Sequence, residues 1–212
     1  MYRILKGIEH FENFVHPSNR ELFEELATGQ KPETMMITCS DSRVVPSLIT
    51  QTMPGEIFVL RNAGNLLPEY PEAGGGEWAT VEYAVEILKV KHIIVCGHSD
   101  CGAIKQVLRG RCPRRVPAVA RWLAHARPVK RALARRARTL EPDEVLQFAI
   151  RENVLLQLRR LRAHPRIARS IEKGKLSLHG WVFDIGTGSI TAYDAGTDRF
   201  LKLAPAAAGR AA

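Results

Sequence analysis

The sequence predicts an α/β fold in which a mostly parallel β-sheet, with about four parallel strands and an antiparallel edge strand, is flanked by helices. Short apolar runs alternate along the chain with longer segments in which apolar residues recur every three or four positions. The apolar runs are continuous, which is typical of strands buried on both faces of a parallel sheet. The composition fits this class, since 45% of the 212 residues are hydrophobic and 25% are charged.

The first half of the chain supplies three of these strands. Ser18 to Glu21 has the pattern of a capping box and predicts the start of an amphipathic helix that reaches Gly29. Continuous apolar runs predict three strands, at 34–38, 56–61 and 91–96. Apolar residues at helical spacing predict a helix at 77–89, just before the third strand. Because ligands bind beyond the carboxyl ends of parallel strands, functional groups are expected where these runs end.

The second half predicts helices followed by a hairpin. Residues 116–171 have helical periodicity, most clearly over 142–162, where Pro142 occupies the first turn. Residues 181–185 and 189–193 predict a closing β-hairpin at the sheet edge. No repeat or linker interrupts the pattern. We therefore expect one domain over 1–212, with a helical arm over 1–30 and a frayed tail over 204–212.

Four cysteines are too few for a disulfide-stapled secreted domain of this length, which predicts a reducing, cytoplasmic compartment. No stretch approaches the roughly 18 consecutive apolar residues of a membrane span. Glu9 and Glu12 interrupt the segment in which a signal peptide would have its apolar core. Cys96 lies within an apolar run and is expected in the core, whereas Cys112 follows Arg111 and is expected to be an exposed loop thiol.

The formal charge of +9 is unevenly distributed. Residues 101–175 hold 20 of the 31 basic residues and five of the 22 acidic ones. A basic segment can bind nucleic acid. Here the arginines are interleaved with alanine and leucine at helical spacing, and no aromatic platform accompanies them. We therefore favour a solvated helical surface and do not expect nucleic acid as a partner.

Cysteine and histidine side chains follow two of the predicted strands. Cys39 comes directly after the first strand, and His98 and Cys101 follow the third. An isolated histidine–cysteine pair at this spacing is weak evidence for a metal, but neighbouring parallel strands would bring the three residues to one sheet edge. Two thiolates and an imidazole suit Zn²⁺, and three protein ligands leave a fourth position open, as in catalytic zinc sites.

Asp41 and Arg43 lie within the first of these segments. Their spacing of two places both side chains on one face of an extended chain, within reach of a bidentate ion pair. Such a pair can be purely structural. Beside an open zinc position, a carboxylate fixed by arginine can orient the group that the metal binds.

Together these motifs resemble the β-class carbonic anhydrases. The resemblance rests on CSDSR at 39–43 and GHSDCGA at 97–103, and it extends through RNAGN at 61–65, EYAV at 82–85 and LHGWV at 178–182. It covers roughly residues 15–195. It implies that Cys39, His98 and Cys101 are the ligands of one Zn²⁺ per subunit and that Asp41 and Arg43 form the catalytic dyad.

The resemblance also implies a substrate pocket and an oligomer. Gln30, Phe58 and Tyr83 match positions that bind or enclose substrate, and Gly102 lies beside the metal. Family members are homodimers or larger assemblies such as tetramers, in which part of each pocket comes from the partner subunit and the N-terminal arm packs on that partner. The implied reaction is the reversible hydration of CO₂ to bicarbonate and a proton, through a zinc-bound hydroxide oriented by the dyad.

Two other functions remain open at this point. Related enzymes hydrolyse carbonyl sulfide or carbon disulfide with the same ligands, and the sequence does not resolve the pocket width that separates these substrates from CO₂. A basic nucleic-acid-binding module with a structural zinc is more remote, because structural sites usually have four protein ligands.

Three positions bear on regulation. Family members with an inhibitory bicarbonate site have a tryptophan, an arginine and a tyrosine where this sequence has Met36, Arg61 and Phe183. Two of the three polar anchors are replaced by apolar residues. We therefore expect that this bicarbonate switch is absent and that Asp41 stays paired with Arg43 and does not bind the metal.

Overall fold

Six strands form one mixed sheet in a computed structural model that describes residues 1–70, 75–112, 114–136 and 140–203. The strands are β1 (Thr34–Cys39), β2 (Ile57–Asn62), β3 (His92–His98), β4 (Ser177–Phe183), β5 (Ile190–Asp194) and β6 (Arg199–Lys202). Their spatial order is β2-β1-β3-β4-β5-β6. The first four strands in this order are parallel, and β5 and β6 are antiparallel to their neighbours. The predicted fold class is confirmed.

Helices precede the sheet and connect its strands. They are α1 (Tyr2–His10), α2 (His16–Ser18), α3 (Arg20–Leu26), α4 (Pro46–Thr50), α5 (Gly76–Glu82), α6 (Gly102–Arg109), α7 (Pro117–Leu123), α8 (Arg127–Arg136), α9 (Glu144–Ala163) and α10 (Pro165–Glu172). Wider π-helical turns follow α1 at Phe11–Val15 and α5 at Tyr83–Ile87, and a 3₁₀ turn at Ala124–Ala126 joins α7 to α8. No helix within the described ranges is both long and apolar enough to cross a membrane.

The core lies mainly on one face of the sheet. β1 and β3 are central and buried along nearly their whole length, as their continuous apolar runs predict. Alternate residues of these strands pack against α5 and α9; the main participants are Met35, Ile37, Ile93, Val95, Trp78, Val81, Val154 and Leu158. A second apolar cluster, which includes Ile104 of α6 and Ile150 of α9, lies beside Cys39 and Cys101.

Two glycines let α9 approach the sheet closely. A Cβ atom at Gly97 of β3 would lie 3.0 Å from Val154 Cγ2, and one at Gly180 of β4 would lie 2.9 Å from both Leu158 Cδ1 and Val154 Cγ1. These separations are shorter than normal carbon–carbon contacts, so α9 can occupy this position only while both residues lack a side chain. Gly97 directly precedes His98, so this packing also positions the end of β3.

Two local predictions are wrong. Ser18 and Asn19 do not cap α3, because the chain before them is already helical; Ser18 Oγ donates to Phe14 O at 2.6 Å and Asn19 Nδ2 donates to Val15 O at 2.8 Å. Pro142 lies before α9, which begins at Glu144.

The C-terminal hairpin forms between β4 and β5, with Phe183 paired to Ile190. However, β4 is also the fourth parallel strand, and β6 lies beyond β5 at the edge. The sequence of β6, with Arg199 and Lys202 at its ends and mostly exposed positions, has no apolar run that would have predicted it. The predicted tail over 204–212 lies outside the described residues.

All four cysteines are free thiols. Cys96 is fully buried, as expected. Cys112 is half-buried and packs against the second apolar cluster, so the expectation of an exposed thiol is wrong.

We expect Gly180→Ala to lower the free energy of unfolding by about 1–3 kcal/mol, because the added methyl group would overlap Leu158 and Val154. Urea denaturation measures this change. Gly76→Ala is the matched control, since a Cβ there meets no atom within 4 Å. Equal stability of the two variants would contradict the close packing of α9.

Candidate metal centre and active site

Three buried side chains meet at the carboxyl end of the parallel sheet. Cys39 is the last residue of β1, His98 is the last of β3, and Cys101 immediately precedes α6. Because β1 and β3 pair in parallel, their ends lie at the same edge. One ligand atom from each residue lies within 4.8 Å of the other two. The side chains that the sequence predicted as metal ligands are therefore close enough together to bind one ion.

His98 presents an unsatisfied nitrogen to this group. Its Nδ1 atom lies 2.8 Å from Ser99 O, which assigns the ring proton to Nδ1 and leaves a lone pair on Nε2. Nε2 is buried and has no hydrogen-bond partner among the described residues. Such an atom costs about 1–3 kcal/mol when it is left unsatisfied. A metal ion bound at Nε2 would remove this cost, and a carbonyl partner on the other nitrogen is usual for metal-binding histidines.

The pKa values of the two thiols shift in opposite directions. The pKa of Cys39 is lowered to about 4, mainly because the Cys101 thiol donates a hydrogen bond to it, and the backbone N–H of Gly64, 3.3 Å from Cys39 Sγ, adds to this. The pKa of Cys101 is raised, because it is the donor in this pair and because it is buried. Burial opposes ionisation of His98, but the neighbouring Cys39 thiolate outweighs it and raises the pKa of His98. The residues are a soft, anionic donor set that fits Zn²⁺.

A carboxylate lies beside the three candidate ligands. Arg43 donates from Nε to Asp41 Oδ1 at 2.9 Å and from Nη2 to Asp41 Oδ2 at 2.8 Å. Asp41 Oδ2 is 3.8 Å from His98 Nε2. The hydrogen bonds from Arg43 hold the pKa of Asp41 well below its usual range, so this carboxylate is ionised and can only accept hydrogen bonds.

Asp100 holds the far side of the arginine. Arg43 Nη1 donates to Asp100 Oδ2 at 3.1 Å, and Lys105 of α6 also pairs with Asp100. Asp100 has a left-handed backbone conformation, with φ of 60°, which turns the chain between His98 and Cys101. Sequence reasoning did not assign Asp100 a role, although it lies within the GHSDCGA motif.

Comparison with known proteins agrees with this geometry. The family model described as carbonic anhydrase matches residues 34–190. The chain belongs to the β-carbonic anhydrases. It is 47% identical over 204 residues to a carbonic anhydrase of Pseudomonas aeruginosa, covering 96% of this chain and 92% of the relative. The solved structure of the β-carbonic anhydrase CcaA superposes with a TM-score of 0.93 at 42% identity, covering 97% of this chain and 92% of that one.

A third relative adds a statement about assembly. Tetrameric β-carbonic anhydrases from the filamentous ascomycete Sordaria macrospora match with a TM-score of 0.79 at 34% identity, covering 90% of this chain and 95% of theirs. That assembly is a property of those proteins.

In this carbonic anhydrase, Arg61 binds the backbone of the segment that carries both Cys39 and Asp41. Its Nε atom donates to Cys39 O at 3.1 Å and its Nη2 atom donates to Asp41 O at 2.9 Å. Arg61 lies on β2, which pairs with β1 in parallel. The guanidinium group therefore fixes the backbone on both sides of Ser40.

A row of buried polar side chains on α9 supports the loop beside Cys39. Asn153 Nδ2 donates to Gly64 O at 2.9 Å, and Gln157 Nε2 donates to Asn153 Oδ1 at 2.8 Å. Gln157 Oε1 accepts from Leu67 N at 2.9 Å. Both side chains are almost fully buried. This row holds Gly64, whose N–H reaches the Cys39 sulfur. The sequence signal for it is Asn153 and Gln157 four apart in an otherwise apolar stripe, which our sequence reasoning missed.

The pocket residues implied by the resemblance do not all reach the metal group within one chain. Gly102 follows Cys101 directly at the start of α6. Phe58 stacks on Tyr83, with ring centroids 5.9 Å apart. Phe58 lies four residues before Asn62, which pairs with Cys39, so it is roughly 13 Å from that end of the sheet at about 3.3 Å per residue. Gln30 is exposed before β1.

We expect Cys39→Ser to lose bound metal, because a hydroxyl is a poor replacement for the thiolate that is buried opposite His98. Atomic absorption on purified protein measures the metal content per chain. Cys112→Ser is the matched control, since Cys112 lies outside the group of candidate ligands. Full metal content in Cys39→Ser would show that the ion binds elsewhere.

Proposed function

We propose that this carbonic anhydrase carries out the reversible hydration of CO₂ to bicarbonate and a proton with one Zn²⁺ per subunit, held by Cys39, His98 and Cys101. The observation that carries this proposal is the buried Nε2 of His98, which has no hydrogen-bond partner among the described residues and faces two thiols beside an ionised carboxylate. Three protein ligands leave one coordination position free, which suits catalysis better than a closed structural site. When bound, zinc would lower the pKa of a water molecule and so supply a nucleophile at neutral pH.

Asp41 and Arg43 have the geometry of a positioning pair beside the free coordination position. Asp41 is held by two hydrogen bonds from one guanidinium group, so its carboxylate cannot rotate freely. Because Asp41 is ionised, it would accept a hydrogen bond from a proton-bearing group at that position and so orient the group's lone pair towards substrate. Arg43 is itself held by Asp100, which keeps the pair in place.

The surroundings of Met36, Phe183 and Arg61 support the expectation that the inhibitory bicarbonate site is absent. Met36 is fully buried and clusters with Ile94 and Cys96, and Phe183 packs against them. Arg61 donates its hydrogen bonds to the backbone at Cys39 and Asp41. These positions therefore offer an anion an apolar surface and an arginine that is already engaged. Asp41 remains paired with Arg43 in our proposal.

We also propose that the substrate pocket is completed by a second copy of this chain. Tyr83 is 45% exposed beside β2, the strand at one edge of the sheet. The N-terminal arm presents apolar side chains to solvent, among them Ile4, Leu5 and Phe14. An arm packed on a partner, as the resemblance implies, would cover this surface and bring Gln30, Phe58 and Tyr83 to the other subunit's metal. The tetrameric relatives agree with an assembly of this kind.

A cytoplasmic location stays a prediction from the sequence.

We expect Asp41→Asn to retain zinc and to lower turnover of CO₂ by about 10- to 100-fold, because the amide does not form the ion pair with Arg43 and can donate as well as accept. Stopped-flow hydration assays together with metal analysis measure both quantities. Asp194→Asn, at the last residue of β5, is the matched control. Wild-type turnover in Asp41→Asn would remove the carboxylate from the mechanism.

Hybrid oligomers test whether the pocket is shared between subunits. We expect chains carrying Asp41→Asn, co-expressed with chains carrying Gln30→Ala, to form hybrids in which one site has both native halves. Activity would then rise towards half of the wild-type value, although each variant alone loses on the order of tenfold. In the control hybrid, Asp41→Asn with Cys39→Ser, every site is damaged and no activity returns. Failure of the first hybrid to recover activity would place Gln30 within its own chain's site.

A further inference from the structure

A cavity of about 610 Å³ lies away from the metal group, between the end of α6 and the helical run formed by α7, the 3₁₀ turn and α8. Its volume is within the range of small-molecule sites, about 300–1,000 Å³. None of its lining residues is a candidate metal ligand. It lies in the part of the chain whose basic character the proposed reaction does not explain.

The wall of the cavity changes character along one helical face. Ala120, Leu123 and Ala124 line the first part of the wall, and Arg127, Lys130 and Arg131 line the next. These six positions recur at spacings of three and four, so their side chains lie on the same side of the helical run. Val107 of α6 adds a buried apolar surface from the opposite side. The cavity is therefore apolar at one end and cationic at the other.

The cations at this wall lie in a stretch of the sequence that has no acidic residues. The sequence has no Asp or Glu between Asp100 and Glu141. Within the ranges described, no ion pair involves Arg127, Lys130 or Arg131. Lys130 Nζ lies over Gly110, in space that a Cβ atom at residue 110 would occupy, and both residues line the cavity. Clustered like charges repel one another, and an anion bound here would relieve that repulsion.

We propose that this cavity binds a free amphipathic anion, namely a carboxylate on an unbranched apolar chain. The chain would lie against Ala120, Leu123 and Ala124, and the carboxylate would reach Lys130 and Arg131. A nucleotide is a poorer fit, because Gln106, the one amide side chain among the described lining residues, already donates to Arg111 O.

Cys112 provides a reporter for this site. It is half-buried and lines the cavity, whereas Cys39, Cys96 and Cys101 are buried. In the zinc-loaded protein, a thiol-specific disulfide reagent should therefore react first at Cys112. We expect decanoate to slow this reaction at least tenfold at saturation, with acetate and decanol much less effective, since acetate lacks the chain and decanol lacks the charge.

Two double variants separate the cavity from the general basic surface. Replacing Lys130 and Arg131 by glutamine should weaken the decanoate protection at least tenfold. Replacing Arg121 and Arg135 by glutamine removes the same amount of charge from exposed positions of the same helical run that do not line the cavity. This control should change the decanoate protection of Cys112 less than twofold. Ala120→Trp should also abolish protection by filling the apolar end.

Several results would overturn the proposal. Absence of protection by decanoate, or decanoate binding by calorimetry without protection of Cys112, would place any binding elsewhere. An equal loss of decanoate protection in the two double variants would indicate nonspecific attraction of the anion to positive charge. Protection only by anionic phospholipid vesicles would identify a membrane surface as the ligand instead of a free anion. None of these outcomes bears on CO₂ hydration, so the two proposals stand or fall separately.

Discussion

The parallel pairing of β1 with β3 is the constraint on which the metal centre depends. Thr38 pairs with Cys96, so Cys39, one residue further along β1, and His98, two residues further along β3, emerge at the same sheet edge. In a strand, a slip of one residue turns every side chain to the opposite face. A slip of β3 would carry the imidazole away from both thiols. The close packing of α9 over Gly97 holds this register just before the histidine, so a core contact and a candidate ligand are determined by the same few residues.

Two polar side chains of α9, Asn153 and Gln157, are buried beside the centre, and each has hydrogen-bond partners. Asn153 and Gln157 would each be costly in an apolar helix face, yet their hydrogen bonds to the loop at Gly64 and Leu67 are made. That loop in turn donates to the Cys39 sulfur. Arg61 donates a hydrogen bond to the backbone carbonyl of Cys39. These hydrogen bonds fix the backbone that carries the donor atoms, which is a condition for a selective metal site.

The sequence predicted the sheet and the candidate ligands because their signals are local. A continuous apolar run followed directly by Cys39, and another followed by His98, needs only the geometry of parallel strands to become a site. The partners of Arg61, Asn153 and Gln157 could not be predicted in this way, since they depend on which loop lies above which helix. The helix start at Ser18 was predicted wrongly for the opposite reason. Its local pattern fits a cap, but the preceding turns are helical and take up the side-chain hydrogen bonds.

The position of Phe58 on β2, roughly 13 Å from the Cys39 end of the sheet, has a consequence for how this enzyme would respond to dilution. If the pocket is shared, a separated subunit keeps every candidate metal ligand but loses the partner's aromatic side chains that would enclose CO₂. Metal content and catalytic competence would then become independent quantities, the first a property of the chain and the second a property of the association equilibrium. The amount of protein in the compartment would set the active fraction.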